Sequence, residues 1–241
     1  LFSIRYQPIV ALTGGGSGSG KEYYEVILGV NKSVANSEIP DNFINDLFKS
    51  DIAAEVDRWV IEKALASLSK KLSISPQTQL FINISTQSFS DEAFLSWLKE
   101  AFKKTKLPTN TVIFQFREID AMRYLKKAAA ISDQMKKVDG QISIANFGLA
   151  INPLKTLERV AVDFVKIDPL MVEKLSRSGD GKAEFQKLMG GMMGTGVDVI
   201  VPFVEKASIL PFLWRQGVQY IQGHYINKPS FDMDYDFTEG S

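Results

Sequence analysis

Seven polar side chains stand at or beside the ends of apolar, strand-like runs: Glu25, Asn83, Glu118, Asn146, Lys166, Asp168 and Gln222. Each sits where burial begins, and a buried polar group must find a partner, either a neighbouring side chain or a ligand. One such residue alone reads as a satisfied structural group. Seven at matching positions read as a binding site. The chemistry open to that site is narrow. The chain has no cysteine, which excludes disulfides, zinc–thiolate centres and cysteine nucleophiles. His224 is its one histidine, so a Ser–His triad or a multi-histidine metal centre has almost no material; it reads as an ordinary rim or core histidine.

The elements that must hold these residues follow a regular rhythm. Ser3–Val10 and Tyr23–Leu28 read as strands, joined by the Gly/Ser-rich stretch 14–20. A linker so short predicts an antiparallel pair. That stretch reads as a flexible loop, of a composition also used to replace a longer natural one by engineering; its G-x-G lacks the strand–loop–helix setting of a nucleotide site. Beyond it, an amphipathic helix is expected over 51–72, with Ile52, Val56, Trp59, Val60, Ala64 and Leu68 on one face. Strand 80–84 follows, then a helix through Phe94, Leu98 and Phe102 capped by Ser90-Asp91, strand 112–116, helix 124–137, strand 141–147, strand 163–168, two helical stretches, strand 197–203, helix 207–216 and strand 219–223. Strands alternating with helices argue for parallel βα units. The predicted fold is a modified, TIM-like (β/α)8 barrel with an antiparallel first strand, in which polar groups at the C-terminal strand ends line the ligand site.

Composition bounds the rest. With 241 residues, 45% hydrophobic and 23% charged, the chain fits one globular domain spanning 1–241. Lys+Arg and Asp+Glu both number 28, so no basic excess points to nucleic acid or an anionic membrane. The apolar runs are too short to cross a bilayer. Absence of cysteine suits a reducing cytoplasm. A chain that opens at Leu1, inside strand-like sequence, reads as a domain cut from something longer. The methionines at 189, 192 and 193 read as adaptable helix packing, and the acidic tail from Asp232 to Glu239 as a solvated terminus, with a docking segment as the sharper alternative.

The motifs, taken in order, resemble those of the EAL domain, the phosphodiesterase-type barrel that handles cyclic di-GMP. Gln7-Pro8-Ile9 resembles the opening Y-Q-P-I; Glu25-Val26-Ile27-Leu28 stands at the name-giving tripeptide; Asp57-Arg58-Trp59-Val60, Asn83-Ile84-Ser85, Lys166-Ile167-Asp168 and Gln222-Gly223 with Pro229 resemble D-R-W-V, N-L-S, K-I-D and Q-G…K-P. The resemblance implies ligand-binding candidates at Gln7, Glu25, Leu28, Asp57, Asn83, Glu118, Lys166, Asp168, Phe203 and Gln222.

The departures point away from catalysis. Active members use clustered carboxylates to hold two divalent metals and activate water. Here Glu25 and Asn83 remain, while the expected carboxylates are Gln115, Ala145, Asn146 and Pro202. Glu25, Asn83 and Lys166 are then catalytic relics, no metal or other cofactor is expected, and the domain is expected to be no enzyme. Val26, Gln115 and Phe203 are similar to the FimX type of degenerate EAL protein. That likeness implies a cyclic di-GMP receptor tied to type IV pilus motility or biofilm signalling, with a PilZ-domain protein partner and a homodimer as further options. Phe203 offers a face for guanine or is a plain core aromatic; Lys166 meets phosphate or forms a salt bridge with Asp168 or Glu25; Gln7 and Gln222 could read a base edge. Gly29, where the family carries a phosphate-facing arginine, favours the alternative of a scaffold that has lost the ligand. A residual phosphodiesterase is the third reading.

Overall fold

The computed structural model describes residues 2–12, 20–30, 43–177 and 179–238. The expected Gly/Ser loop therefore lies outside the described residues except for Gly20. Among the described residues, eight strands close into one barrel. Strand β1 (Phe2–Ala11) runs antiparallel to β2 (Glu22–Val30), from Phe2 opposite Val30 to Ile9 opposite Tyr23. It also closes the barrel antiparallel to β8 (Tyr220–Ile221). The remaining pairs, through β3 (Thr78–Asn83), β4 (Val112–Arg117), β5 (Gln141–Phe147), β6 (Phe164–Ile167) and β7 (Asp198–Val201), are parallel. The expected architecture is the observed one.

Strand alternation builds the interior in layers. Ile9, Tyr23, Phe81, Ile113, Phe164, Ile200 and Tyr220 form a buried plug, with Tyr23 edge-on to Phe81 at 5.7 Å and to Tyr220 at 5.3 Å. Two residues along each strand, on the same inward side, come Gln7, Glu25, Asn83, Gln115, Lys166, Pro202 and Gln222. The polar floor of the site is thus the next layer above an aromatic plug. The side chains between them, such as Tyr24, Leu80, Ile82 and Phe114, face outward onto the helices.

Helix α1 (Phe43–Leu47) and α2 (Ala53–Leu72) follow β2; α2 buries Val56, Val60, Ile61, Ala64, Leu65 and Leu68, leaving Ile52 outside the helix and exposed. After β3 come α3 (Thr86–Ser90) and α4 (Phe94–Thr105), whose Phe94 and Phe102 meet Phe114 edge-on. Ser90 closes α3 by donating to Thr86 O, so it does not cap α4; Asp91 accepts the Ala93 N–H and pairs with Arg58 instead. The expected helix 124–137 is α6 (Leu125–Lys136), preceded by a separate α5 (Glu118–Arg123). Then α7 (Leu154–Leu157), α8 (Pro169–Arg177), α9 (Gly179–Met192) and α10 (Leu210–Arg215) complete the outer layer. Met189 and Met192 pack inside as expected, whereas Met193 is exposed.

Among the described residues, the tail through Thr238 is packed on the barrel and does not run free. Ser230 exchanges two backbone hydrogen bonds with Tyr6 along the edge of β1 that β8 leaves open. The Tyr24 hydroxyl accepts the Tyr235 N–H at 3.1 Å, and the Phe237 ring stands edge-on to Tyr24 at 5.3 Å. Met233, Tyr235 and Phe237 alternate with the aspartates, so the apolar side packs on the barrel and the acidic side faces water. Gly223 is required where β8 ends, because a Cβ there would overlap the Val204 backbone.

Candidate functional site

A cavity of about 780 Å³ opens above the polar floor, a size suited to a small-molecule ligand. Glu25 is its centre. Unlike the expected strand end, Glu25 lies inside β2, which continues to Val30 because β1 pairs with it throughout. The Lys166 ammonium stands 2.6 Å from Glu25 Oε1. Gln115 donates to the same oxygen at 3.0 Å and Asn83 at 3.3 Å, while Gln222 donates to Oε2 at 2.8 Å. Gln115 also donates to Asn83 Oδ1 at 2.8 Å, and its own oxygen accepts from Ser143 at 3.1 Å.

The centre of the floor is therefore one carboxylate, one ammonium and three amides, closed on themselves, with the Gln7 amide beside them. Burial pushes the Glu25 carboxyl up, but Lys166, with Gln222 and Asn83, outweighs it and holds the group below its ordinary value. Burial pushes the Lys166 ammonium down, against the opposing pull of Glu25. Of the two sequence readings of Lys166, the salt bridge to Glu25 is the one formed. A divalent metal asks for several hard, negatively charged oxygens. Among the described residues no group of three or more His, Cys, Asp or Glu converges; Pro202 and Ala145 line the wall without donors.

The structure brings Gln7, Glu25, Leu28, Asp57, Asn83, Lys166, Phe203 and Gln222 to the cavity wall and leaves Glu118 and Asp168 behind it. Gln7 is turned by its amide to Asn227 O at 3.0 Å. Asp57 is buried, accepts the Ser85 N–H at 2.7 Å, and is pushed up by burial. Glu118 is the first residue of α5, not the end of β4; its carboxylate accepts the Gly148 N–H at 3.0 Å and the Ala150 N–H at 3.4 Å. Asp168 accepts from Asn146 at 3.1 Å and from the Leu170 N–H at 2.8 Å. Glu118 thus holds the turn after β5, and Asp168 holds Asn146 near the end of β5, where the register slips and Asn146 takes φ +53° to face the cavity.

Phe203 is not a core aromatic. It is 62% exposed on the rim and takes φ +56°. For a bulky residue that conformation costs about 1–3 kcal/mol and recurs at ligand sites. His224 is likewise exposed on the rim. Sequence reasoning missed Lys49 and Arg117, which also line the wall. The signal for Arg117 was available, since it lies two residues beyond Gln115 on the same face of β4. Lys49 had none, because only tertiary packing brings its loop to the mouth.

The EAL domain family model matches residues 1–229. The crystal structure of a FimX EAL domain superposes with TM-score 0.90 at 35% identity, covering 98% of this chain and 93% of that one. The FimX EAL domain from Pseudomonas aeruginosa bound to c-di-GMP gives 0.87 at 34% identity, with the same coverage. Cyclic di-GMP phosphodiesterase PdeB of Shewanella oneidensis is 25% identical over 226 residues, 94% of this chain and 26% of PdeB. The chain spans about a third or less of the length of the curated relatives it matches. Among the described residues no helix is long and apolar enough to cross a membrane.

Proposed function

Because the chain belongs to the EAL domain family, we propose that it is a cytoplasmic receptor for cyclic di-GMP that does not hydrolyse it. One observation carries this reading: the Glu25 carboxylate is occupied by the Lys166 ammonium at 2.6 Å and by three amides. A metal pair would have to displace that ammonium and would find amides, Ala145 and Pro202 where further anionic ligands are needed. The donor set does not fit a divalent metal, so ligand is held without one and no water is activated.

What remains is recognition. The exposed ring of Phe203 stacks on a guanine, a contact worth about 1–3 kcal/mol per base. Asn83 and Asn146, exposed at the floor, face the sugar–phosphate backbone. Gln222 is tied to Glu25 and Gln7 to Asn227 through one amide hydrogen each, so each offers a base edge its carbonyl oxygen and its second amide hydrogen. The FimX likeness extends the proposal to an output, a PilZ-domain protein whose contact with this domain follows ligand occupancy. Gly29, which lies opposite Ser3 and carries no charge, favours the second reading, a scaffold without ligand. Incubation with cyclic di-GMP and Mg2+ or Mn2+ tests inactivity. The ligand should stay cyclic, and linear product formed at an enzymatic rate would overturn the proposal.

A further inference from the structure

We infer that Arg117 is the residue that binds a phosphate group of the cavity's ligand; this rests on the receptor reading. Among the described residues the cavity wall carries three cationic side chains, Lys49, Arg117 and Lys166. Lys166 is consumed by Glu25 at 2.6 Å. Lys49 is 72% exposed, 3.9 Å from Asp46, and would have to give up the freedom of a long side chain to bind. Arg117 differs from both. Its Nε donates to Asp120 Oδ2 at 2.8 Å, and Nη2 donates to Asp120 Oδ1 and to Thr86 Oγ1, each at 3.2 Å. Thr86 in turn donates to Asp120 at 2.8 Å.

These bonds hold one edge of the guanidinium against a carboxylate that is 3% exposed, while the arginine side chain is 52% exposed. The pair therefore presents its positive end to the cavity. The Nη1 hydrogens, which no described residue accepts, form a fixed fork for anionic oxygens. Strand alternation places the fork one layer above Gln115, so an anion there would sit over the self-neutralised floor and not within it. That placement separates the two tasks: the floor needs no ligand to be satisfied, and phosphate recognition falls to the rim.

Calorimetric titration with cyclic di-GMP tests this. Removing Arg117 alone would strand the buried Asp120 carboxylate, so the comparison is made in the Asp120→Asn background. Arg117→Gln added to Asp120→Asn should weaken binding about ten- to a hundredfold relative to Asp120→Asn alone, the loss expected of one charge-assisted contact. The dependence of affinity on salt should also flatten, which a purely structural role would not produce. A loss below tenfold with binding retained in the parent overturns the role of Arg117 and leaves the receptor reading standing. Absence of binding in the parent protein overturns both.

Discussion

Replacing Lys166 with methionine isolates the ion pair on which the floor depends. The two side chains are 8% and 13% exposed, so solvent does little to screen the charge left on Glu25. Removing one partner of such a pair costs about 3–5 kcal/mol. Gln115, Asn83 and Gln222 would still donate to the carboxylate at 2.8–3.3 Å, which places the cost near about 3 kcal/mol. For a chain of this size that is a fall in melting temperature of about 6–12 °C. The double variant Glu25→Gln/Lys166→Met leaves no buried charge and should come back to within about 1 kcal/mol of the parent. Urea and thermal unfolding of the parent, both single variants and the double variant give the coupling directly. A Lys166→Met protein that melts within about 2 °C of the parent would refute the claim that Glu25 is neutralised by Lys166. So would a double variant no more stable than the single.

Phe203→Gly should separate stability from binding. Glycine adopts φ +56° freely, and the ring buries little, so unfolding should be unchanged or shifted up by about 1 kcal/mol, while affinity for cyclic di-GMP falls by about 1–3 kcal/mol; parallel melting and calorimetry check both halves. Asp57→Asn should alter the pH profile. Burial raises the folded-state pKa of Asp57, so the stability it adds is fully present below its unfolded pKa, about 4, and is lost as pH rises through the folded value. Urea titrations at pH 4.5 and pH 7 should therefore show the Asp57→Asn protein gaining on the parent at the higher pH, and a pH-independent difference would contradict that sign.

The period-two pattern of the strands was readable because most plug residues are followed, two positions on, by a polar one: Phe81 then Asn83, Phe164 then Lys166, Tyr220 then Gln222. That spacing alone places those residues on one floor. It does not say whether the chain turns immediately afterwards. Glu118 and Asp168 stand at similar distances along the sequence, but β4 and β6 end just before them, so their carboxylates accept backbone N–H groups of the next turns. Asn146 reaches the cavity only through the register slip after Ile144, and no local pattern reports that slip. The tail aspartates advertise a solvated terminus, while the alternating Met233, Tyr235 and Phe237 that bind it to the barrel become visible only beside Tyr24.

Calorimetric titration of the protein with cyclic di-GMP, first without and then with Mg2+, addresses the receptor reading most directly. A floor satisfied by Lys166 and three amides calls for binding at micromolar concentration or tighter, with the same affinity in both buffers. Absence of binding in both buffers would contradict the receptor and favour the scaffold. Binding that appears only when Mg2+ is added would contradict the self-neutralised floor itself.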